Sequence, residues 1–191
     1  NVAVQEATMM RFHPQTFFIQ DMVKKKKIGT IKYISALFSI DMNNFNDIRF
    51  KYNNGGGSLW DLGSYCISFA RSALQKEPIQ VFAKKIHVAG KGKVDHSLAG
   101  YLIFDKKIEM HFFSSFRSFH HEEVTMIGDK GTIKVNVPYC NHVKSGSVLI
   151  TKEDTNKKVE SLLKNPSYWC FSVKNSAFFL ILYKTIILHR H

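Results

Sequence analysis

Apolar residues fall at two spacings along this chain, and each change of spacing marks an expected element. After Pro14 they recur at helical intervals through Phe17, Phe18, Ile19, Met22 and Val23, which predicts a helix that closes on the run Lys24 to Lys27 and ends near Ile28. From about Gly29 to Ile40 the stretch IGTIKYISALFSI alternates and is β-branched, the pattern of a strand. A polar loop, DMNNFNDIRFKYNN, leads to three glycines, and Leu62, Ile67, Phe69 and Ala70 then predict a second helix over Ser58 to Leu74. Ser58 is the expected N-cap of that helix, with Asp61 three residues on in the acidic position of a capping box.

Five strand-like segments follow: PIQVFAKKIHV, SLAGYLIFD, KIEMHFFSSF, EEVTMIGD and GTIKVNV. Turn residues at Asp105 to Lys107 and Gly128 to Gly131 predict antiparallel hairpins. Two helices and a meander of strands specify an α+β domain, an open and largely antiparallel sheet with helices on one face. The other face, carrying Phe112, Phe116 and Phe119 or their alternates, is expected to pack on a second subunit, giving a homodimer. The last forty residues read differently. Their apolar run, SAFFLILYKTIILHRH, is broken by Lys184 and is shorter than the roughly 20 apolar residues of a membrane helix, so no membrane partner is expected.

Composition changes this picture little. Twenty-seven Lys and Arg against fifteen Asp and Glu give a net charge of +12, which suits an anionic partner. The lysines are scattered over strands, turns and one helix end, with no aromatic-and-basic signature, so nucleic acid is not an expected partner. Cys66, Cys140 and Cys170 are odd in number and widely spaced, which predicts a reducing, cytoplasmic setting. His120, His121, Glu122 and Glu123 are adjacent and read as a solvated turn or strand end, with no metal expected.

The candidate chemistry lies in GGGSLWDLGSY, Gly55 to Tyr65. Asp61 and Tyr65 stand at i and i+4 on one helix face, just past a glycine bend that lets backbone be approached closely. A phenol beside a carboxylate is a proton-transfer pair, but a tyrosine of pKa about 10 is only about 0.1% ionised at pH 7 and needs a nearby cation. The plainer alternative is that Asp61 caps the helix and Tyr65 is packing.

In order and spacing, EATMMRFHPQ, IGTIKYISALFS, DIRFKYNNGGGSLWDLGSYCI, EPIQVFA and MIGDKGTIKV resemble the glucose-fructose oxidoreductase and inositol dehydrogenase family, in its tyrosine branch of sugar and dihydrodiol dehydrogenases. The resemblance covers residues 1 to about 137. It implies an enzyme with an N-terminal Rossmann domain holding NAD or NADP and a C-terminal α/β domain, which this chain would be. Residues 1–10 would be the last strand of the Rossmann domain, 11–152 the substrate-binding and oligomerisation domain, and 153–191 a divergent tail. By position, Tyr65 matches the acid/base that exchanges a proton with a sugar, polyol or dihydrodiol hydroxyl. Asp61 matches a catalytic carboxylate that orients the substrate or the phenol, Arg49 would line the substrate pocket, and Arg11 and Gly56 would lie on the cofactor side. The family's Glu-Lys-Pro lysine, the cation that Tyr65 needs, and its glycine-rich phosphate loop would lie upstream of Asn1, so these residues alone are expected to be inactive. The rival expectation is a non-catalytic fragment that keeps only subunit pairing.

Overall fold

A computed structural model of the chain describes residues 8–89, 94–140, 147–152 and 155–157. Two helices, α1 (Pro14–Lys24) and α2 (Ser64–Leu74), accompany eight strands: β1 (Ile31–Asp41), β2 (Pro78–Ala89), β3 (Val94–Phe104), β4 (Ile108–Ser115), β5 (Arg117–Gly128), β6 (Gly131–Val135), β7 (Val148–Lys152) and β8 (Thr155–Lys157). Most of the domain expected over residues 11–152 is thus described. The expected opening strand falls largely outside the described residues, and its described end, Met9 and Met10, belongs to a 3-10 turn. The divergent tail expected over residues 153–191 also lies almost wholly outside them.

α1 begins as its sequence dictates. Pro14 takes the first helical position, where its missing N–H is not needed, and the His13 ring accepts the Gln15 amide. The helix stops at Lys24, and Lys26 turns the chain in a left-handed conformation, φ 51°. The buried face differs from the expected stripe. Gln15, Thr16 and Ile19 point inward, whereas Phe17 is exposed. Gln20 ties α1 to α2 by donating to the Ser72 carbonyl (3.1 Å) and hydroxyl (2.8 Å).

The sheet is a single layer in the order β2-β3-β4-β1-β5-β6-β7-β8. The expected hairpins form, with Phe104 paired to Ile108 and Gly128 to Gly131. Asp105 and Lys106, both at positive φ, build the first turn in the mirror-image form that matches strand twist. The simple meander is corrected, because β1 lies at the centre, parallel to β4 and antiparallel to β5. One meander, β2 to β4, attaches to one edge of β1, and a second, β5 to β8, to the other.

Side-chain alternation along β1 sets the two faces. Ile34, Ala36 and Phe38 are buried on the helix side, where Cys66, Phe69, Ala70, Ala73 and Leu74 of α2 meet them. Burying an aromatic such as Phe69 contributes roughly 1.5–3 kcal/mol. Phe112 and Phe116, assigned above to the open face, are instead in this core. Phe119 alone of the three is outside, at 88% exposure. The open face carries a cross-strand row in which Tyr101 packs on Phe82 (6.2 Å between centroids) and His111 (4.7 Å), and the Tyr33 hydroxyl bonds the His111 ring at 3.1 Å. Among the described residues no helix is long and apolar enough to cross a membrane.

Because Ile34 is fully buried on the central strand, Ile34→Ala is expected to lower unfolding stability by about 2–5 kcal/mol in urea titrations monitored by circular dichroism. A loss under about 1 kcal/mol would show that the core does not close on β1.

Candidate active site

The loop between β1 and the second helical region is folded back on itself by its own backbone. The Asp47 carboxylate accepts the Arg49 amide at 2.9 Å, starting a 3-10 turn over Ile48–Phe50. The Lys51 carbonyl then accepts the Gly56 amide (3.1 Å), and the Arg49 carbonyl accepts the Gly57 amide (2.9 Å). This close approach explains the glycines. A Cβ on Gly56 would lie 2.5 Å from the Arg49 carbonyl oxygen, and Gly57, at φ +126°, would drive one to 2.3 Å from the Asp95 carboxylate. Both glycines therefore answer an intramolecular demand, and the Gly56 amide is engaged by Lys51.

The helix start departs from the expected capping box. Ser58 makes no side-chain cap, and its hydroxyl instead donates to Asp95 Oδ2 at 2.8 Å. The same oxygen accepts the Leu59 amide at 2.7 Å, so the helix is capped from β3, a strand 36 residues away in sequence. Leu59–Gly63 forms a π-helical turn ahead of α2. Such turns are frequent at functional sites.

Freed from capping, Asp61 faces Arg49. The guanidinium Nε donates to Asp61 Oδ2 at 2.9 Å, and Nη1 donates to Asp47 Oδ1 at 3.2 Å. Partial burial works against the Arg49 charge, but the Asp61 and then the Asp47 carboxylates outweigh it and hold the guanidinium pKa above its ordinary value. The Arg49 amide, followed by its guanidinium, lowers the pKa of the Asp47 carboxyl. Exposed Ile48, Tyr52 and Trp60 come from the same loop and helix start, an apolar rim on a charged site.

Tyr65 follows one turn later, half-buried. Its ring stands edge-on to Phe38 (5.9 Å, 89°) and tilted to Tyr139 (6.2 Å). Tyr139 is buried beneath it and donates its hydroxyl to Cys66 Sγ at 3.4 Å. Burial pushes the Cys66 thiol up to about 12 and the Tyr139 phenol well above its ordinary range. The sequence-predicted residues thus divide. Arg49 and Asp61 are in contact and Tyr65 lies on the next turn, whereas Arg11 is at the C-terminal end of α2. There it borders an open cavity of about 230 Å³ with Arg71, Gln75, Lys76 and Glu77. An 11-residue helix is roughly 16 Å long, and that length separates Arg11's end of α2 from the Asp61 end.

The turn or strand end expected at His120 to Glu123 is also corrected. All four are inside β5, and Glu122 is buried because its carboxylate accepts the Tyr139 and Cys140 amides, each at 2.8 Å. Asp95 and Glu122 carried no local signal of these roles, since both act on residues distant in sequence.

The family model for the GFO/IDH/MocA C-terminal domain matches residues 18–134. The chain belongs to that family. As a GFO/IDH/MocA C-terminal domain it is 31% identical over 137 residues, 71% of its length, to a trans-1,2-dihydrobenzene-1,2-diol dehydrogenase of Xenopus tropicalis, of which it covers 40%. It is 33% identical over 116 residues, 60% of its length, to a D-xylose 1-dehydrogenase (NADP(+)) of Haloferax volcanii, of which it covers 35%. The chain thus spans well under half the length of these curated relatives. The fold is that of an aldose-aldose oxidoreductase from Caulobacter crescentus solved with glycerol, with a TM-score of 0.74 at 17% identity over 84% of this chain and 49% of that one.

The buried thiol generates a pH prediction for this domain. With the folded Cys66 pKa near 12 and the ordinary value near 9.0, the unfolded chain loses its proton first, so this burial stabilises fully below pH 9 and its contribution is lost as pH rises toward 12. Urea stability is expected to fall in that window by up to about 1.4 kcal/mol per pH unit, and Cys66→Ser, which keeps a partner for Tyr139, should flatten the fall. Identical slopes in the two proteins would refute the assignment.

Proposed function

We propose that this domain is the substrate-binding part of an NAD(P)-dependent oxidoreductase acting on a hydroxyl of a sugar, polyol or dihydrodiol. The observation that carries this reading is the Arg49–Asp61 pair, presented beside a π-helical turn with Tyr65 on the turn that follows. A guanidinium and a carboxylate together supply donors and acceptors for neighbouring hydroxyls, the recognition that a polyhydroxylated ligand requires. The exposed Trp60 and Tyr52 offer flat apolar surface for the carbon face of such a ring.

In this reading Tyr65 takes the proton from the substrate hydroxyl during oxidation and returns it during reduction. Asp61, fixed by Arg49, orients the substrate, and the Phe38 and Tyr139 rings hold the phenol in place. Among the described residues Gly56 uses its amide internally and Arg11 lies by Glu77, so neither forms a phosphate cradle. NAD or NADP is therefore assigned chiefly to a dinucleotide-binding half, and when bound it supplies hydride acceptance and donation. Activity requires the two halves together, and the lysine of that half provides the cation beside Tyr65. The row formed by Phe82, Tyr101, His111 and Tyr33 supports pairing of two copies through the open face, because an uncovered aromatic sheet face gains most from a matching partner.

With the chain joined to its dinucleotide-binding half, Tyr65→Phe is expected to lower kcat by roughly 100-fold or more while cofactor affinity stays nearly unchanged. Turnover equal to wild type would end the acid/base assignment. Asp61→Asn should raise KM for the hydroxylated substrate without altering the unfolding midpoint, since the helix is capped by Asp95; a drop in the midpoint with KM intact would return Asp61 to a structural role. For subunit pairing, light scattering should give twice the monomer mass for wild type and the monomer mass for Tyr101→Asp, and a wild-type monomer would refute it.

A further inference from the structure

Near Phe38, whose ring stands 6.3 Å from that of His120, three side chains of different chemistry converge. β5 presents His120 and Glu122 at i and i+2, hence on one face, and the segment after β6 lays Cys140 over them. One ligand atom from each, an imidazole nitrogen, a carboxylate oxygen and the Cys140 sulfur, lies within 4.8 Å of the other two. Among the described residues this is the one such cluster of His, Cys, Asp and Glu.

We propose that His120, Glu122 and Cys140 form a binding site for one divalent transition metal ion of the zinc type. The buried carboxylate is the strongest argument. Glu122 is only 4% exposed, and the two backbone amides that bind its Oε2 lock its orientation. That leaves Oε1 buried, aimed at the cluster and without a hydrogen bond, while His120 Nε2 stands 3.5 Å from it. A buried carboxylate oxygen left in that state is costly, and a cation restores what burial removed. Backbone amides holding the far oxygen of a ligating carboxylate are the support that metal centres ordinarily have.

The donor set selects the ion. Nitrogen, oxygen and sulfur together suit Zn²⁺, whereas Mg²⁺ and Ca²⁺ prefer all-oxygen shells. Metal–ligand bonds of about 2.0–2.3 Å in a tetrahedron put ligand atoms roughly 3.3–3.8 Å apart, so the cluster must contract by about 1 Å. His120 and Cys140 are only partly buried and make that adjustment by side-chain rotation around the fixed Glu122. Three protein ligands leave a fourth position of the tetrahedron to a further donor. The rival occupant of the space is a proton, a charged His120 paired with Glu122 and no metal.

The site uses none of Arg49, Asp61 and Tyr65, although the Phe38 ring stands near both His120 (6.3 Å) and Tyr65 (5.9 Å). Its test therefore uses no activity measurement. The full 191-residue chain, reduced and stripped with chelator, is titrated with Co²⁺ alone and read by absorption. One equivalent is expected to bind with a thiolate-to-cobalt charge-transfer band and the intense visible bands of a tetrahedral site, to be displaced by Zn²⁺, and to raise the melting temperature. Cys140→Ser should abolish the charge-transfer band. Glu122→Gln, which keeps an acceptor for the Tyr139 and Cys140 amides, should weaken binding by about 100-fold with the circular dichroism spectrum unchanged. Failure of the folded wild type to bind Co²⁺ would favour the His120 ion pair and overturn the proposal. So would a charge-transfer band that persists in Cys140→Ser, which would put the metal on Cys66 or Cys170.

Discussion

β1 has a neighbour on each edge and helix α2 on one face, and the rest of the domain is arranged around those demands. A central strand leaves no backbone amide or carbonyl to water, so both edges must be paired before its apolar side chains can be buried. One edge receives β4 in parallel, the other β5 antiparallel, and each brings its own meander. Parallel pairing with β4 requires a long excursion between the two strands. That excursion contains the charged loop, the π turn, α2 and the first hairpin strands. The candidate site is thus built from chain that the sheet obliges to travel.

The regular parts of this arrangement were legible in the sequence. Alternation gave β1 to β6 nearly in place, Pro14 and the lysine run bracketed α1, and turn residues located both hairpins. The order of strands was not legible, because alternation tells a strand which face to bury and says nothing of its neighbours. Phe112 and Phe116 were assigned to the wrong face for a related reason. An aromatic run with few polar interruptions has no phase until register fixes one. Asp61 and Tyr65 were found from their spacing, and Arg49 from the family resemblance, yet the contact between Arg49 and Asp61 depends on glycine-mediated folding of the loop between them.

Three carboxylates show how far local motifs mislead. Asp61 sits where a capping box would use it, but pairs with Arg49; Asp95, on a strand, caps the helix; Glu122, beside two histidines, holds a distant segment by its amides. In each case the deciding partner is far along the chain or across a loop. Buried carboxylates satisfy whatever donors the tertiary fold delivers, and a donor 17 residues away, as Tyr139 is from Glu122, leaves no mark on the local pattern.

The π turn at Leu59–Gly63 has a further meaning for how the site is joined to the core. It holds one residue more than the α-helix would, so chain on its two sides belongs to angular registers that differ by about 100°. Downstream, α2 is locked to β1 and β4 by close packing and tolerates no rotation. Upstream, Ser58 is buried and held by the Asp95 carboxylate of β3. The extra residue thus lets Leu62 and Gly63 stay buried on the packed side while Trp60 and Asp61 face outward, Asp61 toward the Arg49 loop.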